Sequence, residues 1–110
     1  MKKLSYFIAA FSLFALAQIC IAVEVPFLTG RVTDDAQILS ADKRQAITET
    51  LKAHEDKTGN QVAVLTIPTL DGEGIEEYAL AVFNEWKLGQ KGKDNGVLIV
   101  VAPNDRRMRI

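Results

Sequence analysis

The longest apolar stretch of the chain comes first. Lys2 and Lys3 give a positive start, and no charge follows over residues 4–23. A short basic start, an apolar run and small residues at Cys20 and Ala22 are the parts of an export signal, with cleavage expected after Ala22. Ser5, Ser12 and Gln18 dilute the run, which favours a cleaved signal peptide over an uncleaved membrane anchor. The sequence therefore divides into a signal peptide, residues 1–22, and one domain, residues 23–110.

Beyond the leader the apolar spacing changes period several times. Val25-Pro26-Phe27-Leu28-Thr29-Gly30 has no period and reads as an extended lead-in, with residues 31–36 following. Ser40 is a good N-cap, Leu39 a plausible staple, and Asp42 suits the positive end of a helix. Ala46, Ile47, Thr50, Leu51 and His54 keep a 3.6-residue spacing until Gly59, which predicts a helix over 41–58. Residues 61–67 are apolar at successive positions and end at Pro68, the pattern of a strand buried on both faces. After the loop Asp71-Gly72-Glu73-Gly74, a stripe of Ile75, Tyr78, Ala79, Val82, Phe83 and Trp86 predicts a second helix, closed by Gly89. Residues 96–102 read as a second doubly buried strand, and residues 107–110 alternate as a half-exposed one.

This order predicts an α/β layered sandwich, with a mainly parallel sheet flanked by helices. The chain stops inside its last strand, so residues 23–110 read as the N-terminal part of a longer domain, truncated at the C-terminus.

Composition then narrows the chemistry. The 110 residues allow one domain, and 25% charged with 48% hydrophobic residues is an ordinary globular balance. The net charge is −1, and it becomes −3 once Lys2 and Lys3 leave with the leader. A broad basic face is excluded, and with it a nucleic-acid partner. One Cys and one His exclude an internal disulfide and every metal site built from Cys and His, leaving oxygen ligands only.

Several motifs fail on inspection. Gly89, Gly92 and Lys93 resemble part of a phosphate loop, but they follow a helix and precede a strand, and Asp94 stands where Ser or Thr is needed. No EF-hand or GxSxG pattern occurs, and His54 reads as a half-buried packing residue on the first helix.

Geometry among carboxylates survives. Eighteen helical residues rise about 27 Å and seven strand residues about 23 Å, so the first helix begins near the edge where the parallel strands end. That places Asp34, Asp35, Asp71 and Asp105 at one edge, the usual ligand edge of an open α/β sheet. Such a set suits a hard cation such as Ca²⁺ or Mg²⁺, although Asp is also a common turn and cap residue. Asp94 and Asn95 precede the second buried strand and form a separate turn, about 23 Å from Asp105.

The segments together resemble the TPM domain family of exported bacterial proteins and thylakoid-lumen proteins of photosystem II repair. The matching pieces are Val25-Pro26-x-Leu28-Thr29-Gly30-x-Val32-x-Asp34, Ile38-Leu39-Ser40, Thr58-Gly59-x-Gln61-Val62-Ala63-Val64 and Ile75-Glu76-Glu77-Tyr78-Ala79. Asn84-x-Trp86-x-Leu88-Gly89, Lys91-Gly92-Lys93-Asp94-Asn95-Gly96-Val97-Leu98 and Asp105-Arg106-Arg107 complete the set. The resemblance implies an α/β sandwich that often continues to a transmembrane segment and a Gly-rich tail, hence membrane attachment downstream of Ile110. It also implies Ca²⁺ binding in some members and acid phosphatase activity in plant ones, and it marks Asp34, Asp94 and Asp105 as the family's acidic positions. Asp71 rests on geometry alone.

Three functions are therefore expected to compete. The first is an exported, periplasmic or otherwise extracytoplasmic Ca²⁺-binding module that serves a membrane-associated or multiprotein process. The second is a metal-dependent acid phosphatase, for which no nucleophile–base pair is evident. The third is a structural interaction domain whose acidic residues are caps and turns. No particular protein partner can be read from the sequence.

Overall fold

The structure, a computed structural model, describes residues 24–89 and 93–110. The expected leader, with its cleavage site, lies outside the described residues, as do Gln90, Lys91 and Gly92 of the polar turn. The elements in chain order are β1 (Val32–Asp34), α1 (Ala41–Thr58), β2 (Gln61–Thr66), α2 (Ile75–Trp86), β3 (Gly96–Ala102), a 3₁₀ turn (Pro103–Asp105) and β4 (Arg107–Arg109). They form one four-stranded sheet ordered β1-β2-β3-β4, with the first three strands parallel and β4 antiparallel to β3. The α/β architecture matches the sequence expectation.

α1 has the expected bounds, and its ends explain why. The Ser40 side chain accepts the Lys43 N–H at the start, and Gly59 adopts φ 80° at the stop, where its N–H bonds the Glu55 carbonyl. Its packing face differs from the one expected. Ile47, Thr48, Leu51 and Glu55 are half-buried, whereas Ala46, Thr50 and His54 are exposed. His54 is thus a solvent-facing residue and not a packing one. No residue of α1 is fully buried, since the helix packs mainly along β1 and β2 at one side of the sheet.

The core lies on the α2 face. Leu65, Val82 and Val100 are fully enclosed, with Ala63, Leu98, Ala102, Tyr78 and Trp86 around them. Each such aliphatic side chain contributes about 1.5–3 kcal/mol by leaving water. The Trp86 indole N–H donates to the Pro26 carbonyl at 2.9 Å and holds the N-terminal lead-in across this layer. The opposite sheet face, carrying Val62, Val64, Val97, Ile99 and Val101, is only half-buried. The two inner strands are therefore sealed on one face and not on both.

α2 ends at Trp86, one turn before Gly89. Lys87 takes the left-handed conformation there (φ 52°), and Gly89 (φ 86°) makes the next bend, its N–H bonding the Gln61 side chain at 2.7 Å. Among the described residues no helix is long and apolar enough to cross a membrane.

Candidate functional site

Because β1, β2 and β3 run parallel, they end at one edge, and the segments leaving them form that edge: Asp34-Asp35, the loop from Ile67 to α2, and the 3₁₀ turn. Asp34, Asp35, Asp71 and Asp105 accordingly lie at the carboxyl edge. Asp94 and Asn95 lie at the other edge, where the Asn95 amide donates to the Gly59 carbonyl at 2.7 Å and the Asn95 carbonyl receives the Gln61 N–H. That turn ties α1 and β2 to the start of β3.

The two acidic residues at this edge that the sequence motifs mark are engaged as loop clamps. Asp34 accepts the Thr66 hydroxyl, the Ile38 N–H at 3.2 Å and the Leu39 N–H at 2.9 Å. Partial burial opposes its ionisation, but these three donors, with the Arg44 charge behind them, hold its carboxyl below the ordinary 3.8. Thr66 is itself buried and receives the Ala36 N–H, so strand pairing, hydroxyl and carboxylate fix the β1–α1 loop together. Asp105 does the same for the β2–α2 loop, accepting the Leu70 N–H and the Thr69 hydroxyl.

The sequence-nominated carboxylates do not converge on one point. Asp34 and Asp35 line a hollow beside Ala41 and Arg44, while Asp105 lines a small one beside Gly72 and Arg107. β1 and β3 are two strand spacings apart, about 9–10 Å, which keeps Asp34 and Asp105 in separate loops. Among the described residues no three His, Cys, Asp or Glu side chains surround a position for a metal ion.

Asp35 and Asp71 do share a cleft. It holds about 570 Å³, is floored by Ile67, Pro68 and Leu70, and is rimmed by Glu24, Asp35, Asp71 and Glu73, with Tyr78 in its wall. Burial, followed by the charges of Asp35 and Glu24, pushes the Tyr78 phenol up to about 12, so it stays protonated through the physiological range. The cleft thus gathers four carboxylates, all hydrogen-bond acceptors, beside an aromatic hydroxyl. Glu24 and Glu73 escaped sequence reasoning. Glu73 sits in a recognised loop at the correct edge and could have been included on that ground, whereas Glu24 reaches the edge only because Trp86 pins Pro26.

His54 lies thirteen residues along α1, about 20 Å from the helix start, and takes no part in this edge.

Comparison with known proteins agrees with the fold. No curated protein matches the chain. Two solved structures share its architecture: the N-terminal domain of a P. gingivalis protein (TM-score 0.67, 30% identity) and the N-terminal domain of the cg2496 protein from Corynebacterium glutamicum (TM-score 0.62, 18% identity). The first alignment covers 74% of this chain and 52% of that one, and the second covers 83% and 58%. The chain thus spans little more than half the length of either relative. The TPM domain model matches residues 32–110, from β1 to the last residue of the chain. With its mainly parallel four-stranded sheet in the same span, this chain belongs to the TPM domain family.

Proposed function

We propose that this TPM domain is an exported, extracytoplasmic binding module that takes up a divalent cation, Ca²⁺ ahead of Mg²⁺, in the acidic cleft at its carboxyl edge. The observation that carries this reading is the shared cleft of Asp35 and Asp71, with Glu24 and Glu73 on its rim. Asp34 and Asp105 act one step back, by fixing the loops that bear those carboxylates.

Since the carboxylates do not close around a point, water and loop carbonyls complete the ion's shell. This corresponds to the weak extracellular class, with Kd about 10⁻⁴–10⁻³ M, which suits compartments where Ca²⁺ is millimolar. Export rests on the leader, and N-terminal sequencing of the exported protein is expected to begin at Val23.

Thermal melts with Ca²⁺ or chelator test the binding claim. At ten to a hundred times Kd, Ca²⁺ raises stability by about 1.4–2.7 kcal/mol if it binds only the folded state. The double variant Asp35→Asn, Asp71→Asn loses most of that gain, and Asp94→Asn at the far edge keeps it. A wild-type melt that Ca²⁺ leaves unmoved returns the acidic residues to caps and turns of an interaction domain. Cation-stimulated hydrolysis of a generic phosphate ester, lost in Asp35→Asn, would replace the module by a phosphatase.

A further inference from the structure

A divalent ion in the acidic cleft engages only the rim carboxylates, and three features of the cleft remain unused. The first is the floor, where Ile67, Pro68 and Leu70 form an apolar strip inside about 570 Å³, far more room than one ion fills. The second is Phe27, which borders the cleft and is 92% exposed. The third is Tyr78. It is only 6% exposed, and among the described residues its hydroxyl has no hydrogen-bond partner. That hydroxyl is not sealed in, and it lies within the field of Asp35 and Glu24 on the rim. A buried polar side chain normally has a partner, so this one opens toward a group that the cleft receives.

The lining selects the chemistry of that group. No Lys, Arg or His is among the described residues of the cleft wall, so the four carboxylates meet no internal cation there. The ligand therefore carries a positive head, and an apolar stem that covers the floor. A flat guanidinium stacks on an open aromatic face and forks onto carboxylates, whereas an ammonium is a compact, strongly hydrated point charge. Free arginine also carries an α-carboxylate, which the acidic rim repels. Within a polypeptide that group is a neutral amide.

We propose that the cleft receives an arginine side chain of a partner protein, its stem on Ile67, Pro68 and Leu70 and its guanidinium among Phe27, the Tyr78 hydroxyl and the rim carboxylates. The proposal shares its cleft with the cation reading but does not rest on ion binding. Ca²⁺ and arginine compete for the rim, and either can occupy it without the other.

A titration with chelator present tests it. Backbone amide resonances of the exported protein are followed as the capped tripeptide acetyl-Gly-Arg-Gly-amide is raised to about ten millimolar, enough to detect millimolar affinity. Saturable shifts are expected at Glu24, at residues 70–73 and at Tyr78. The same peptide with citrulline, a neutral isostere of arginine, is expected to bind about tenfold or more weakly. Phe27→Ala is expected to weaken the arginine peptide about two- to fivefold, and Tyr78→Phe about two- to tenfold. Both variants keep the fold, since Phe27 is exposed and the Tyr78 hydroxyl has no partner to lose. Four results overturn the proposal. An arginine peptide that shifts nothing does so, whatever Ca²⁺ does in its own titration. Equal binding of the citrulline peptide removes the role of charge. Spermidine binding as tightly as the arginine peptide makes the cleft a polyamine site. Concentration-dependent shifts of the same amides in the protein alone, lost in the double variant Arg106→Ala, Arg107→Ala, assign the cleft to a second copy.

Discussion

Replacing Asp34 by Ala removes an acceptor used by three donors at once, and the structure sets the size of the loss. Thr66 is 2% exposed, so its hydroxyl loses its acceptor where water hardly reaches, at about 1–2 kcal/mol. The Ile38 and Leu39 N–H groups lie nearer solvent and can rebond to water, which adds about 0.5–1 kcal/mol, as for a lost helix cap. The sum is about 1.5–3 kcal/mol, or roughly 6–24 °C in Tm for a domain of this size. Urea unfolding followed by the fluorescence of Trp86, the single Trp, reads it directly, with the midpoint falling and the slope unchanged. Asp34→Asn keeps one acceptor oxygen and is expected to lose about 1 kcal/mol.

Acid provides an independent check. The native carboxyl titrates below the unfolded value of 3.8, so the clamp's contribution is full above 3.8 and fades as pH falls through the native value. The gap between wild type and Asp34→Asn must therefore narrow on acidification below 3.8. A loss under about 0.5 kcal/mol for Asp34→Ala, the range of an ordinary surface change, would refute the clamp. So would a gap that widens in acid.

Further expectations concern single groups. In protein lacking residues 1–22, Tyr78 is the only Tyr, and its ultraviolet titration should centre near 12, with Asp35→Asn moving it down; a midpoint at 10 would place the phenol outside the acidic cleft. The sign follows from the raised value: its contribution to stability is full below 10 and is lost as pH rises toward 12. Gly96→Ala should cost about 1–3 kcal/mol, because the added carbon would fall 2.7 Å from the Gly89 nitrogen and from the Leu88 carbonyl carbon. Gly30→Ala, with nothing within 4 Å, is the control and should be far milder; equal urea midpoints for the two variants would contradict the close approach at β3.

Local rules made most of the fold legible. Ser40 and Gly59 bracket α1, and the Ile75–Trp86 stripe marks α2, because caps and 3.6-residue spacing are written within a few residues of each other. β1 was not legible: Val32–Asp34 is too short to show an alternation, and pairing with Val64, Leu65 and Thr66 defines it. The true face of α1 also escaped, since Thr48 and Glu55 turn inward over the sheet while the apolar Ala46 stays in water. For the site, strand direction placed four Asp residues at one edge but could not say what each does. The partners of Asp34 and Asp105 at Thr66 and Leu70 lie 32 and 35 residues away, so their clamping role is a tertiary fact. The cleft rim likewise depends on Pro26 being held by Trp86, sixty residues distant.

The cation claim is tested most directly by following backbone amide resonances of the folded protein as Ca²⁺ is raised to about ten millimolar, above the weakest extracellular class of site. The account predicts saturable shifts confined to Glu24, to Asp35 and Ala36, to residues 70–73 and to Tyr78, with none at Asp94 or Asn95. Amides that do not move, or movement centred on Asp94 and Asn95 at the opposite edge, would contradict it.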